Sequence, residues 1–553
     1  MACGGPSGGG GETGSGSETD GPSPQTTTGQ TGPLTGSSES GAESGTTDSG
    51  ETSSSSTGQD ACAVDIEPTD RIVLTSRGPV EGAPTQGGPL AFLGIPYVAA
   101  PVGDARWTPP QQPACWTDVL SVDTFGPQCP QLESAMGPVV GAEDCLHLNV
   151  WTPAADGGGR PVMVFIHGGG NAIGSASDPF YDGANLARAG DQVVVTFNYR
   201  LGALGWLTES GLPAVNFGLR DQIAALEWVR ANAAVFGGDP DRVTVFGESA
   251  GAVNTCTLLG APGAAGLFQA AIVQSGACNH RDAEVYAKQM STPFVQSSGC
   301  AEAEDALECL RALPAASVVA LEPAGYPAVA EVGGQAWGPS VDAETLPVQS
   351  LDAMAAGEHN DVPLIIGANA EETWKSVPEL PSEEAYAAVV AASFGALSGA
   401  VLQQYPAADY ASPTDAYVAL TSDLKFVCTA RRSLRAAATG RSPIYRYHFA
   451  HDDYFAPGGE TASFHGLELV YIFGNFDQVL PGVRYPMTVA DERMRDTMQA
   501  LWSSFAAGEL SGDPAWPVYD PDTDPYLLLE DPVTAGEGVR TTQCDFWEQL
   551  AGG

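Results

Sequence analysis

Residues 243–251 read Val-Thr-Val-Phe-Gly-Glu-Ser-Ala-Gly. A β-branched apolar run meets a Gly-x-Ser-x-Gly turn, and small residues follow. This is the pattern of a strand ending in a sharp turn that presents a serine hydroxyl at the start of a helix. It makes Ser249 the candidate nucleophile. The five residues alone are weak evidence, because Gly5-Pro6-Ser7-Gly8-Gly9 matches the same pattern. That second match has no strand before it and no helix-forming run after it, so it reads as linker.

A serine hydroxyl needs a base within hydrogen-bond reach and a third group to orient that base. In this architecture the chain order is serine, acid, histidine. Of the seven histidines, His147, His167, His280 and His359 precede the acid candidates. His448 lies in the alternating run Tyr445-Arg446-Tyr447-His448-Phe449 and reads as a strand residue. His451, before Asp452-Asp453, reads as a structural loop residue rather than a metal ligand. His465 lies in the loop Ser463-Phe464-His465-Gly466, a good mount for an imidazole base. The acid is Glu371 or Glu372, and spacing does not choose between them. Its task is to orient His465 and stabilise the imidazolium.

Negative charge developing on a carbonyl oxygen needs backbone N–H donors. The apolar run Val162–Ile166 leads directly into His167-Gly168-Gly169-Gly170. A glycine triplet after an early strand, upstream of the serine turn, fits such an oxyanion hole. The Ala250 amide would be a further donor. Each donor is worth roughly 3–4 kcal/mol in the transition state.

These groups require a sheet to carry them. Short apolar runs at Val162–Ile166, Gln192–Asn198, Arg242–Phe246, Ala270–Gln274, Val362–Gly367 and Tyr445–Phe449 read as strands. Leu219–Ala233 has helical apolar spacing. Strands alternating with helices predict an α/β chain with a central, mostly parallel sheet flanked by helices. The stretches 281–360 and 376–440 are rich in helix formers and read as helical insertions over the strand ends.

Residues 1–60 are almost entirely Gly, Ser, Thr, Pro, Gln and acidic residues, without Lys, Arg or aromatics. They read as a disordered linker, and 61–553 as one catalytic domain. Net charge is −44, and only eight of the 67 acidic residues lie in the linker. The folded part is therefore acidic too, which argues against nucleic acid as a partner. Acidity of this kind reads as serving solubility, with steering of a cationic substrate as the competing reading. No run reaches the 18 or more apolar residues of a transmembrane segment.

The eleven cysteines form an odd set, and Cys3 is the obvious leftover. It follows a small residue and precedes a Gly/Ser-rich tether, like the lipid-bearing cysteine of a mature bacterial lipoprotein. No charged n-region and apolar h-region precede it here. A lipid anchor at Cys3 is therefore expected only of a natural precursor, and the signal peptide is absent from this chain.

The motifs together resemble the type-B carboxylesterases, the α/β-hydrolase group that includes cholinesterases and bile-salt-type lipases. The likeness spans nearly all of 70–550. It runs through Glu143-Asp144-Cys145-Leu146-His147-Leu148-Asn149-Val150-Trp151, the glycine triplet, and Asn198-Tyr199-Arg200-Leu201-Gly202. It continues through Asn216-Phe217-Gly218-Leu219-Arg220-Asp221-Gln222, Phe236-Gly237-Gly238-Asp239-Pro240, the serine turn and Gln274-Ser275-Gly276. His465-Gly466 and Trp516-Pro517-Val518-Tyr519 complete it.

This resemblance implies an α/β-hydrolase fold with helical insertions over the active site. It also implies a carboxylic-ester hydrolase working on a small-molecule ester through Ser249, His465 and Glu372. The family's acid is the second of two adjacent acidic residues, hence Glu372. Gly169, Gly170 and Ala250 match the oxyanion-hole positions. Ser275 matches a serine that supports the histidine–acid pair, and Glu248 the acid that often precedes the nucleophile. No metal or cofactor is implied.

Cys129–Cys145, Cys300–Cys309 and Cys428–Cys544 match or resemble family disulfides. Cys62–Cys115 and Cys256–Cys278 would complete the pairing, with buried free thiols as the competing reading for the last two. Five pairs imply an oxidising compartment, and with Cys3 an exported bacterial member. Cholinesterases carry a choline-stacking tryptophan in the first disulfide loop, and 129–145 contains no aromatic residue. Choline-ester specificity is therefore not implied. The short loop implies an open site. Lipase, amidase and carbamate hydrolase chemistry on the same triad, or a non-catalytic binding module, are the alternatives.

Overall fold

The strand runs are apolar at successive positions because both faces of their sheet are covered. Eleven strands form the sheet: β1 Ala83–Pro84, β2 Leu90–Pro96, β3 His147–Thr152, β4 Arg160–Ile166, β5 Val193–Phe197, β6 Gly238–Glu248, β7 Ala270–Gln274, β8 Leu364–Asn369, β9 Ile444–Phe449, β10 Pro525–Leu529 and β11 Thr534–Glu537. Their order across the sheet is β11-β10-β9-β8-β7-β6-β4-β5-β3-β2-β1. The strands from β5 to β10 in that order pair in parallel. Antiparallel strands close both edges. The computed structural model describes residues 62, 64–134, 137–209, 211–279, 281–322, 337–452, 461–478 and 486–550. The expected linker 1–60, with Cys3 and Ser7, lies outside the described residues, as does His280.

Alternation along each strand divides the core. In β4, Val162, Val164 and Ile166 enter one cluster, while Met163 and Phe165 enter the other. Leu364 and Ile366 of β8 face the first cluster, and Ile365 faces the second. Helix α1 (Phe217–Asn232) and helix α2 (Ala250–Gly260) cover the first face, through Leu219, Leu226, Val229 and Leu258. Helix α3 (Glu468–Phe473) and helix α4 (Val489–Ala506) cover the other, through Leu469, Ile472, Met498, Trp502 and Phe505. Each such side chain contributes about 1.5–3 kcal/mol on burial. That two-sided cover is why a buried parallel strand reads as a continuous apolar run.

The two stretches expected to be helical are helical over most of their described residues. Within the second, Glu383–Asp409 is long and apolar enough, by length and composition only, to cross a membrane. It is not one continuous helix: α-helical turns at Glu383–Phe394 and Ser398–Gln404 flank a 3₁₀ turn at Gly395–Leu397.

The pairs Cys62–Cys115, Cys129–Cys145, Cys256–Cys278, Cys300–Cys309 and Cys428–Cys544 are all disulfide-bonded. Five disulfides fit an oxidising, extracellular setting. The Cys428–Cys544 bridge closes the longest loop and ties the last helix to the body.

Candidate active site

Ser249 is the corner between β6 and α2. Its φ of 57° and ψ of −121° lie where a residue with a Cβ is strained, a cost of about 1–3 kcal/mol held by the surroundings. Ser249 N–H donates to Gln274 O at 2.9 Å, and Val253 N–H donates to Ser249 O at 3.1 Å. The glycines on either side answer to contact. A Cβ on Gly251 would collide with the Ile166 carbonyl, and one on Gly247 with the Gly251 carbonyl. Small residues thus let α2 begin directly against β4.

The glycine triplet leaves the neighbouring strand at the same end, since Gly247 pairs with Ile166. A Cβ on Gly168 would lie 3.0 Å from Ser249 Cβ, so the loop passes against the serine. Gly169 and Gly170 take φ of +100° and +61°. Gly169 O accepts from Ala172 N–H at 3.1 Å and Ile173 N–H at 3.0 Å, which closes the loop into a tight turn. Ala250 is the first residue of α2 and is buried.

The loops after β8 and β9 leave the sheet at the same end, since these strands run parallel to β6 through β7. Glu372 is buried, and its Oε2 accepts from His465 Nδ1–H at 2.5 Å. Its Oε1 accepts from Asn369 N–H at 2.8 Å, and its carbonyl from His465 N–H at 3.1 Å. Glu371 points elsewhere: its Oε2 accepts from Ser463 N–H at 3.0 Å. Geometry therefore separates two acids that spacing could not.

The other ring nitrogen, His465 Nε2, lies 3.2 Å from Glu248 Oε1. It has no hydrogen-bond partner among the described residues, so no bond joins it to Ser249 Oγ. Such bonds are often long before substrate arrives and tighten in the complex. Phe426 packs on the ring, 4.9 Å between centroids, from the second helical stretch. Ser275 sits at φ 56° with its N–H on Gly367 O at 2.9 Å. Its Oγ is buried without a partner among the described residues, so support of the histidine–acid pair by a serine hydrogen bond is not made here.

Burial by itself would lower the His465 imidazole, but Glu248 and Glu372 outweigh it and raise the ring to about 9. Glu248 is pushed up by burial, with Glu372 adding to the rise and His465 opposing it. A third buried acid, Glu468, was not singled out in the sequence. It is fully buried at the start of α3, where its Oε2 accepts from Asn369 Nδ2 at 2.6 Å and its Oε1 from Gln274 Nε2 at 3.2 Å. Burial raises its pKa as well, reinforced by Glu248 and Glu372. The available signal was a lone acid in the apolar run Leu467-Glu468-Leu469-Val470-Tyr471.

Three other described histidines have surroundings of their own. His448 is lowered to about 3 by burial and by Arg446. His451 Nε2 meets buried Asp491 at 3.2 Å. His167 stacks on Tyr199 at 4.5 Å and is lowered to about 4 by burial.

A mostly parallel sheet flanked by helices, with a serine corner at the end of one of its strands, defines an α/β-hydrolase. Residues 69–547 match the model of the Carboxylesterase family. The para-nitrobenzyl esterase of Bacillus subtilis is 35% identical over 485 residues, covering 84% of this chain and 96% of that protein. The fumonisin B1 esterase of Sphingopyxis macrogoltabida is 33% identical over 487 residues, 84% of this chain and 87% of the relative. A solved PNB esterase structure superposes with a TM-score of 0.76 at 33% identity, covering 87% of this chain and 99% of that one. A Geobacillus stearothermophilus carboxylesterase superposes at 0.73 and 32% identity, covering 86% and 99%. The chain belongs to the carboxylesterase family, and it is a carboxylic-ester hydrolase.

Proposed function

We propose that this chain hydrolyses esters through an acyl-enzyme on Ser249. The carrying observation is the 2.5 Å bond from His465 Nδ1–H to buried Glu372, with the other ring nitrogen 3.2 Å from Glu248, the residue before the strained serine corner. Nδ1 holds its proton toward the carboxylate, which leaves Nε2 as the basic nitrogen. Nε2 takes the Ser249 proton as Oγ attacks the ester carbonyl. The amides of Gly169, Gly170 and Ala250 receive the oxyanion. His465 then gives the proton to the leaving alkoxide as the ester C–O bond breaks. Water repeats the sequence on the acyl-enzyme and releases the acid. Glu248, beside Nε2, stabilises the imidazolium but also favours the protonated resting ring, so the fraction of neutral His465 available as base rises with pH.

Lipase, amidase and carbamate-hydrolase activity would use the same groups. Likeness to a para-nitrobenzyl esterase makes small p-nitrobenzyl esters the first probes, with p-nitrophenyl esters as chromogenic analogues. Export is part of this reading, supported by the five disulfides, and a lipid anchor at Cys3 is proposed with it from the sequence alone.

The test is a panel of p-nitrophenyl esters of increasing acyl length, run on the parent and on Ser249→Ala. Loss of kcat on the order of 10⁵–10⁶ is expected. Retention of most activity would refute the mechanism. A rate that grows with long acyl chains would move the substrate class to lipids.

A further inference from the structure

The residue that follows the glycine triplet is braced from three directions. Asn171 takes φ of 58°. Its carbonyl accepts from Gly202 N–H at 2.7 Å. Its side-chain oxygen accepts from Asn254 Nδ2 at 2.8 Å, a residue of the helix that starts at the serine corner. Its Nδ2 donates to Trp337 O at 3.4 Å.

Two of those braces lead to one acid outside the sheet. Glu322 Oε1 accepts from Ala203 N–H at 2.8 Å, next to the Gly202 amide that holds Asn171. The Trp337 side chain donates to the Glu322 carboxyl, while the Trp337 carbonyl receives Asn171. Gly202 takes φ of +53°, and a Cβ there would collide with this carboxyl. The missing side chain at 202 is thus the space that the acid fills. Glu322 as a residue is only partly buried, but its carboxyl is enclosed, and that enclosure raises it to about 8. It is therefore largely uncharged at neutral pH, and glutamine is its near-isostere.

We propose that Glu322 is a positioning residue for the oxyanion loop. By holding Ala203 and Trp337 it fixes Asn171, and through Asn171 it fixes the amides of Gly169 and Gly170. This rests on the oxyanion hole proposed above. It acts on the transition state, because those amides meet a full negative charge only there. It gives the helical stretch that supplies Glu322 and Trp337 a part in the chemistry beyond cover.

The experiment compares parent, Glu322→Ala and Glu322→Gln in p-nitrophenyl acetate hydrolysis and in inhibition by an alkyl trifluoromethyl ketone. That ketone adds to a serine as a tetrahedral oxyanion. Small misplacements of such donors are expensive, so Glu322→Ala should lose about 10- to 100-fold in kcat. KM should stay within about twofold, since ground-state binding is untouched. Ketone affinity should fall in proportion to kcat/KM. Glu322→Gln keeps an acceptor for Ala203 N–H and should recover most of the loss.

An unchanged kcat in Glu322→Ala, an unchanged ketone affinity, or a glutamine variant as impaired as alanine would each overturn the assignment. If Glu322→Ala does not fold, Trp337→Phe removes the indole N–H together with part of the buried ring and should show the same paired loss. An unchanged ketone affinity there also overturns it. Ser249→Ala run alongside separates the two readings. If it stays active, the oxyanion-hole reading itself fails. If it is inactive while Glu322→Ala matches the parent, only the role of Glu322 fails.

Discussion

The two sides of the site are made of different material. On the Ser249 side the parts are backbone: a strained corner, two glycines at positive φ, and amides at a helix start. Its side chains are small and uncharged apart from Glu248. On the His465 side the parts are ionisable side chains enclosed by protein. Glu372 and Glu468 are buried there, and the histidine–acid partners come from residues 93 apart in sequence. The first side is held by shape and the second by charge. A substitution in the backbone parts of the first should change rate without changing pH dependence, and one at a carboxylate around His465, Glu248 included, should move the pH dependence.

Glu372→Gln gives the largest effect that tests this contrast. It leaves the shape but removes the charge that sets the histidine tautomer. A loss of about 10⁴ in kcat is expected, measured with p-nitrophenyl acetate. A loss under tenfold would show that charge on this side is dispensable.

Gly169→Ala attacks the other side. Its Cβ would collide with the Ile173 carbonyl at a backbone angle that disfavours any side chain. The kcat should fall about 10²- to 10³-fold, with the midpoint of the pH profile unmoved. A displaced midpoint would mean that the two sides are not separable.

Glu248→Gln has the smallest effect and is read in pH. Glu248 lies 3.2 Å from His465 Nε2 and favours the imidazolium. Hydrolysis needs the neutral ring, so kcat/KM of the parent should climb as pH rises through the raised His465 value. Removing one carboxylate lowers that value, so the climb should move to lower pH. A shift to higher pH, or none, would contradict the electrostatic account.

The same contrast explains what the sequence made legible. Glycine at three successive positions after an apolar strand has few uses, so Gly168, Gly169 and Gly170 and the Ser249 turn could be read locally. The strand runs were legible because burial on both faces leaves no polar positions. The charged side was legible only in outline. Glu371 and Glu372 are chemically identical neighbours, and only the resemblance chose between them; in the fold it is Glu372 whose carboxylate meets His465. Glu468 shows locally only as a lone acid in an apolar run, because its effect comes from Asn369, Gln274 and Glu248 packed around it. The brace from Glu322 to Asn171 joins positions 151 apart in number, and such a contact belongs to topology rather than to any motif.

The central claim is that Ser249 is acylated with His465 as its base. The direct measurement is labelling by a fluorophosphonate probe, followed by peptide mass spectrometry on the parent, Ser249→Ala and His465→Ala. The account predicts one adduct per chain, on the peptide carrying Ser249, absent from Ser249→Ala and formed far more slowly in His465→Ala. An adduct on another residue, or undiminished labelling of Ser249→Ala, would contradict it.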